Sequence, residues 1–182
     1  LSKVILLNGC GSSGKTSIAK SIAHLSSDDW ITFGVDTFIG MLPFSKESHF
    51  LRFNFENNER GPSTRVSVTP TGDSFFRQMP LFAKQLADAG FNVIIDEVLL
   101  EESQLEAYRT ALTHHSLLYV NVKCNLKTMN ERELLRGDRS IGLSNDQIER
   151  VHVGNRAQAN LVVDSSHCTP FELARQILEN LR

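Results

Sequence analysis

A chain of 182 residues, 41% hydrophobic and with a formal net charge of -2, has the length for one substantial core and none to spare for a second full domain. The near-neutral balance, with Lys and Arg scattered or gathered in one local cluster, argues against a nucleic-acid partner, and no run approaches the roughly 18 apolar residues that a membrane span needs. Cys10, Cys124 and Cys168 lie far apart without metal-ligand spacing, which fits reduced thiols in a cytoplasmic protein rather than a disulfide framework.

Residue 1 is Leu with no signal-like basic segment, so the start is expected to be trimmed. The first element is an apolar run at 4–7 of buried-strand type, which leads into Gly9-Cys10-Gly11-Ser12-Ser13-Gly14-Lys15-Thr16. In G-x-x-x-x-G-K-T the glycines let the backbone curl until successive N–H groups point at a nucleotide's phosphates; the lysine adds a point charge and the threonine hydroxyl reaches Mg²⁺. Apolar residues at helical spacing over 15–25 turn a helix N-terminus toward the same phosphates. Gly9, Cys10, Gly11, Ser12, Ser13, Gly14, Lys15 and Thr16 are thus the expected nucleotide-binding set, Lys15 also serving catalysis and Thr16 the metal. Cys10 reads as an inert filler of the loop or as a thiol made reactive beside phosphate.

A second apolar run at 31–35 ends on Asp36, on the sheet edge that carries the phosphate loop. A carboxylate there can orient an acceptor hydroxyl and take its proton during phosphoryl transfer, or it can simply N-cap a short helix over 37–42. From 43 to 72 helical and strand periods both fail. Irregular insertions of that length usually carry function, and ligands in such sheets gather at the strands' carboxyl ends, so this insertion is the expected acceptor pocket. Phe38, Phe44, Phe50, Phe53 and Phe55, with Met41 and Leu42, suggest a hydrophobic cavity, though some must pack the insertion onto the domain. Arg52, Arg60 and Arg65 are available there for a phosphate-bearing acceptor.

A long helix over 73–89 stops at Gly90, and the strand at 93–95 ends in Asp96-Glu97. Carboxylates in that place hold Mg²⁺ directly or through water, Asp96 being preferred and Glu97 second; either could instead cap the helix over 103–112 or pair with a base. His114-His115 reads as a turn. After a strand at 117–122 and a helix over 126–135 comes the basic cluster from Arg132 to Arg139, with Arg132 and Arg136 one turn apart and Gly137 as hinge or stop. Arginines on a lid spanning about 132–146 can close over a triphosphate, which assigns Arg136 and Arg139 to catalysis and Arg132 to the nucleotide. The plainer reading is a solvated helix with Glu131, Glu133 and Asp138 pairing the arginines. A helix over 145–152, a strand at 161–163 and a helix over 170–181, opened by Thr169, Pro170 and Glu172, complete the chain. Strands alternating with helices predict an α/β fold, one parallel sheet with helices on both faces.

These residues resemble the chloramphenicol phosphotransferase family. The likeness rests on Leu6-Leu7-Asn8-Gly9 leading into Gly14-Lys15-Thr16, on the stretch from Trp30 to Asp36, on the stretch from Ile94 to Leu100, on the one from Arg132 to Arg139, and on Val151-His152, all in family order. The resemblance implies a five-stranded P-loop NTPase sheet, three layers α/β/α, ordered 2-3-1-4-5. It also implies ATP-dependent transfer of the γ-phosphoryl group to a primary hydroxyl of a chloramphenicol-like acceptor, Asp36 being the base, Lys15 and Thr16 serving nucleotide and Mg²⁺, and Arg136 and Arg139 belonging to the lid. The chain departs from the family across 43–67, and 154–160 lacks an expected Tyr-Asp pair. A sugar, nucleoside or nucleotide-sugar acceptor is the alternative within kinases. The other class considered is a nucleotide-binding switch, for which Asn121-Val122-Lys123-Cys124-Asn125 supplies no guanine signature.

Overall fold

The computed structural model describes residues 1–59, 61–137, 140–151 and 158–181. Arg60, Asp138, Arg139, His152 and residues 153–157 lie outside the described residues, and with them the expectation that Arg139 serves the lid. The first half of the chain runs β1 (Lys3–Asn8), α1 (Lys15–Leu25), β2 (Trp30–Gly34), α2 (Val35–Gly40), a 3-10 turn (Phe44–His49), β3 (Leu51–Asn58), β4 (Gly61–Val68), α3 (Pro70–Phe76) and α4 (Gln78–Asp88). The second runs β5 (Asn92–Glu97), α5 (Glu102–Ala111), β6 (Ser116–Lys123), α6 (Leu126–Arg136), α7 (Leu143–Arg150), β7 (Leu161–Asp164) and α8 (Pro170–Glu179). Five of these strands form one parallel sheet in the order β2-β5-β1-β6-β7. Leaving out the separate β3–β4 hairpin, that is the expected order 2-3-1-4-5.

The sheet's strands are apolar on both faces because helices cover both. Alternation sends Val4 and Leu6 toward α4 and α5, into a cluster with Phe33, Ile95 and Tyr108. Ile5 and Leu7 go the other way, toward α1 and α8, with Ile18, Ile22, Val120 and Ile177. Thr169 caps α8 as expected, its side chain accepting from Glu172 N and its own N–H donating to Glu172 Oε2 (2.7 Å). Gly90, at φ 93°, follows the end of α4. Phe91 N reaches back there to Leu86 O (3.1 Å). Among the described residues no helix is long and apolar enough to cross a membrane.

Three expectations are corrected. The stretch from 43 to 72 is ordered: β3 and β4 pair antiparallel from Leu51 opposite Val68 to Asn58 opposite Gly61. Beyond Leu51 the whole of β3 is exposed, so no buried face writes an alternation into the sequence. The long middle helix is two helices, because Pro80 in the first turn of α4 has no N–H to bond back with and its ring crowds the carbonyl four residues earlier. The earlier one begins at Pro70, capped by Thr69 accepting from Gly72 N (3.1 Å). Finally, α2 starts at Val35, so Asp36 lies inside its first turn and Gly34 is the N-cap.

Register brings the functional ends together. Leu7 pairs with Asp96, Asn8 with Glu97 and Gly34 with Asp96, so the turns after β1, β2 and β5 leave the sheet side by side. A Cβ at Gly34 would lie 2.1 Å from Asp96 O and 2.9 Å from Asp96 Cβ, which only a shift of backbone could relieve. Gly34→Ala is therefore expected to destabilise by about 1–3 kcal/mol, the range of overpacking in a filled core. Urea unfolding measures it, and an unchanged midpoint would mean that β2 yields freely.

Candidate active site

The phosphate loop is built from backbone that ordinary residues avoid. Ser12 has φ 59° and Gly14 φ 91°, both left-handed, which curls the loop tightly ahead of α1. A Cβ on Gly9 would stand 2.5 Å from Val122 O, so only glycine lets the loop leave β1 so close to β6. Lys15, almost wholly buried, donates through Nζ to Gly9 O and Cys10 O (both 2.9 Å) and lies 3.5 Å from Asp96 Oδ1. Thr16 Oγ1 donates to Asp96 Oδ2 at 2.6 Å. Ser12 and Ser13 each bury a hydroxyl oxygen that has no partner among the described residues. A curled loop opening a helix, a lysine and unspent hydroxyls suit a phosphate chain, and a Thr–Asp oxygen pair suits Mg²⁺, which takes few protein ligands.

Asp96 and Glu97 part company because successive side chains of a strand face opposite ways. Glu97 turns away from Thr16, accepting from Tyr108 Oη (2.6 Å) and Val98 N (3.1 Å). Burial pushes its carboxyl up from 4.5 to about 7, the two hydrogen bonds opposing only part of that shift. Between those pH values the folded protein holds a proton that the unfolded chain has released. The stability this contributes is complete below pH 4.5 and is lost as the pH rises to about 7. Glu97→Gln, uncharged and still able to accept from Tyr108, is expected to gain on the parent by up to about 3 kcal/mol across that window. Urea unfolding at pH 5 and pH 8 without Mg²⁺ would show it, and a pH-independent difference would contradict it.

A cavity of about 1130 Å³ opens on the phosphate loop at Ser12, Gly14, Lys15 and Thr16, passes Asp36 and Asp96, and continues between α5 and the β3–β4 hairpin. Its far wall is apolar at Phe53, Val66, Val68, Phe76, Leu99 and Leu100, with Arg65, Arg77, Arg136 and Arg150 at intervals. Gly9, Cys10, Gly11 and Ser13 are not on that wall. Cys10 is 1% exposed, packed with Met129 and Val151, and burial raises its thiol to about 11, so the reactive-thiol reading falls.

Most of the aromatic set sits elsewhere. Phe53 is on the cavity wall, whereas Phe38 belongs to the core beside Phe33 and Phe75, Phe50 packs on Phe75 with ring centroids 5.8 Å apart, and Phe55 is 71% exposed on the open strand. Met41 is exposed too. On the lid side, Arg136 reaches the cavity from the end of α6, where Gly137 at φ 66° stops the helix. Arg132 braces the loop's outer flank, donating to Ser12 O (3.3 Å) and Ser165 O (2.9 Å). Glu133 pairs with no arginine among the bonds of the described residues; buried, it accepts from Gly142 N and Ser144 N. Sequence reading passed over Gln147, Ser144 and Tyr108. A signal existed for Glu133, which falls one turn after buried Met129 on the inward stripe of α6.

A parallel sheet with a phosphate loop after its first strand, and a carboxylate from the neighbouring strand bonded to the loop's threonine, define a P-loop nucleotide-binding fold. The chain belongs to the family of chloramphenicol phosphotransferase-like proteins, whose model matches residues 2–182, and it is a phosphotransferase. Two Mycobacterium tuberculosis proteins, from strains CDC 1551 / Oshkosh and H37Rv, each bear the name "Putative O-phosphotransferase" and are 27% identical over 98% of this chain and 81% of their own length. In fold the chain is similar to a sugar kinase from Janibacter sp. HTCC2649 (TM-score 0.68, 17% identity, 100% of this chain and 95% of that one). It is likewise similar to the APS kinase of Mycobacterium tuberculosis (TM-score 0.69, 14% identity, 99% and 97%).

Proposed function

We propose that the protein transfers the γ-phosphoryl group of ATP to a hydroxyl of a small acceptor, chloramphenicol or a molecule of similar form. The observation that carries this reading is a single cavity whose wall includes the phosphate loop, Asp36 and an apolar compartment. Thr16 and Asp96 would hold Mg²⁺, which supplies neutralisation of phosphate charge when bound. Lys15 and Arg136 add positive charge where negative charge spreads over the transferring oxygens. Asp36 takes the proton of the acceptor hydroxyl as that oxygen bonds to phosphorus and the bond to ADP breaks. Apolar side chains from β4, α3 and the β5–α5 turn hold the acceptor's body and keep competing water out.

A sugar, nucleoside or nucleotide-sugar acceptor is the second reading, favoured by Arg65 on the wall, where a polar or anionic acceptor would find a partner, Arg77 and Arg150 there being ion-paired with Asp73 and Asp146. ATP consumption against a panel of hydroxyl-bearing antibiotics, sugars and nucleosides, with mass spectrometry of products, separates the two. Phosphorylated chloramphenicol is the expected product. A phosphorylated sugar or nucleoside alone would replace the acceptor, and no turnover with any member would remove the reading.

A further inference from the structure

Gly11, in the middle of the phosphate loop, is bonded to α7. Its N–H donates to Gln147 Oε1 at 2.6 Å, and its carbonyl lies 3.2 Å from the hydroxyl of Ser144, one turn earlier on the same helix. Ser144 is fully buried and is itself fixed by Glu133 of α6, which accepts from Ser144 N (2.7 Å), Ser144 Oγ and Gly142 N (3.0 Å). A carboxylate buried at that point serves as the hub for the turn that begins α7.

The same turn is bonded to the insertion. Thr64 of β4 donates through N to Gly142 O (3.0 Å) and through Oγ1 to Ile141 O (2.7 Å), while Asn145 Nδ2 donates to Pro62 O (2.6 Å). The backbones touch here, since a Cβ on Gly142, at φ 91°, would stand 2.3 Å from Pro62 O. Thr64 is buried and off the cavity wall, but the next residues of its strand, Arg65, Val66 and Ser67, are on it. Hydrogen bonds thus run without a break from the strand that walls the acceptor compartment, through the start of α7, to the loop that cradles phosphate.

We propose that Gln147 is a positioning residue that sets the Gly11 peptide, that Ser144 and Glu133 fix the helix start that carries it, and that together they couple occupancy of the acceptor compartment to the conformation of the phosphate loop. The proposal rests on the phosphotransferase reading above for what each end binds. A displacement of β4 by an acceptor moves 141–142, the start of α7 follows, and Gly11 is presented or withdrawn with it. A coupling of this kind has a physical carrier, a short rigid element bonded at both ends.

Thr64→Val removes one hydroxyl at the hairpin end without changing volume, and Gln147→Leu removes the acceptor at the loop end. Amide exchange of the free full-length chain and titration with AMP-PNP plus Mg²⁺ read both ends for the parent, the two single variants and the double. Exchange is expected to quicken in each single variant across 9–16 and 141–147 and not elsewhere. AMP-PNP affinity should fall about fivefold or more with Gln147→Leu. Thr64→Val should weaken AMP-PNP as well, and the double variant should be no weaker than Gln147→Leu alone, because both act through one relay. Unchanged exchange over 9–16 in Thr64→Val, exchange raised evenly over the whole chain, or additive losses of affinity would each overturn the coupling. A parent protein that does not bind AMP-PNP would instead overturn the phosphotransferase reading and the coupling with it.

Discussion

Asp36→Asn is expected to bind ATP with unchanged affinity and to turn over about 10²–10⁴-fold more slowly, the span typical of losing a general base. Asp36 reaches the cavity from the first turn of α2, and that turn is held by its own bonds: Gly34 N donates to Thr37 Oγ1 (3.2 Å) and Gly34 pairs with Asp96 across the sheet. Asn has the same size and asks nothing new of the packing, so the change isolates the charge and the proton. The mechanism narrows the range. A loose transition state leaves the acceptor oxygen weakly bonded and the proton late to move, so a fall near the lower end, about 10²-fold, fits phosphoryl transfer better than one near the upper. Steady-state kinetics with the acceptor found in the panel, beside a nucleotide titration, measures both quantities. Near-normal turnover would take the base role from Asp36.

What the sequence made legible follows from which physical signals are local. The phosphate loop declares itself because its geometry demands glycines and a lysine at fixed offsets, and the buried central strands β1, β5 and β6 do so because apolar residues on both faces leave unmistakable runs. Thr169-Pro170 shows the same logic at a helix start, and Thr69-Pro70 carried it equally well, inside a stretch read as irregular. The β3–β4 hairpin was illegible for the opposite reason. Residues such as Phe55 and Asn57 stand on an exposed strand, so no period of two separates an inside from an outside. The aromatics expected around a cavity divided, because composition cannot say which way a ring points: Phe38 turned to the core, and Phe53 with the unsingled Phe76 to the cavity. Ser144 and Gln147 meet Gly11 from more than a hundred residues away, and no window of sequence holds both ends, whereas Glu133 bonds Gly142 and Ser144 only 9 and 11 residues on and was partly legible from the inward stripe of α6.

Asp96→Asn should cost about 10²–10³-fold in kcat/KM at ordinary Mg²⁺, comparable to deleting one preorganised electrostatic contact to a transition state. The asparagine oxygen can still accept from Thr16 Oγ1, now 2.6 Å from Asp96 Oδ2, and Lys15 keeps the carbonyls of Gly9 and Cys10, so the loop's shape should survive. What disappears is a full negative charge at the place where an oxygen-loving cation would sit, and the activity-against-Mg²⁺ curve is expected to move to higher concentration with part of the rate recovered there. Glu97→Gln is the control that gives this shift its meaning. Glu97 looks toward Tyr108 from the opposite face of β5, so its neutralisation should leave the Mg²⁺ curve where it was, whatever it does to stability. A displaced curve in Glu97→Gln together with an undisturbed one in Asp96→Asn would reverse the assignment, and would require the metal to bind on the side of β5 that faces α5 rather than the side that faces the phosphate loop.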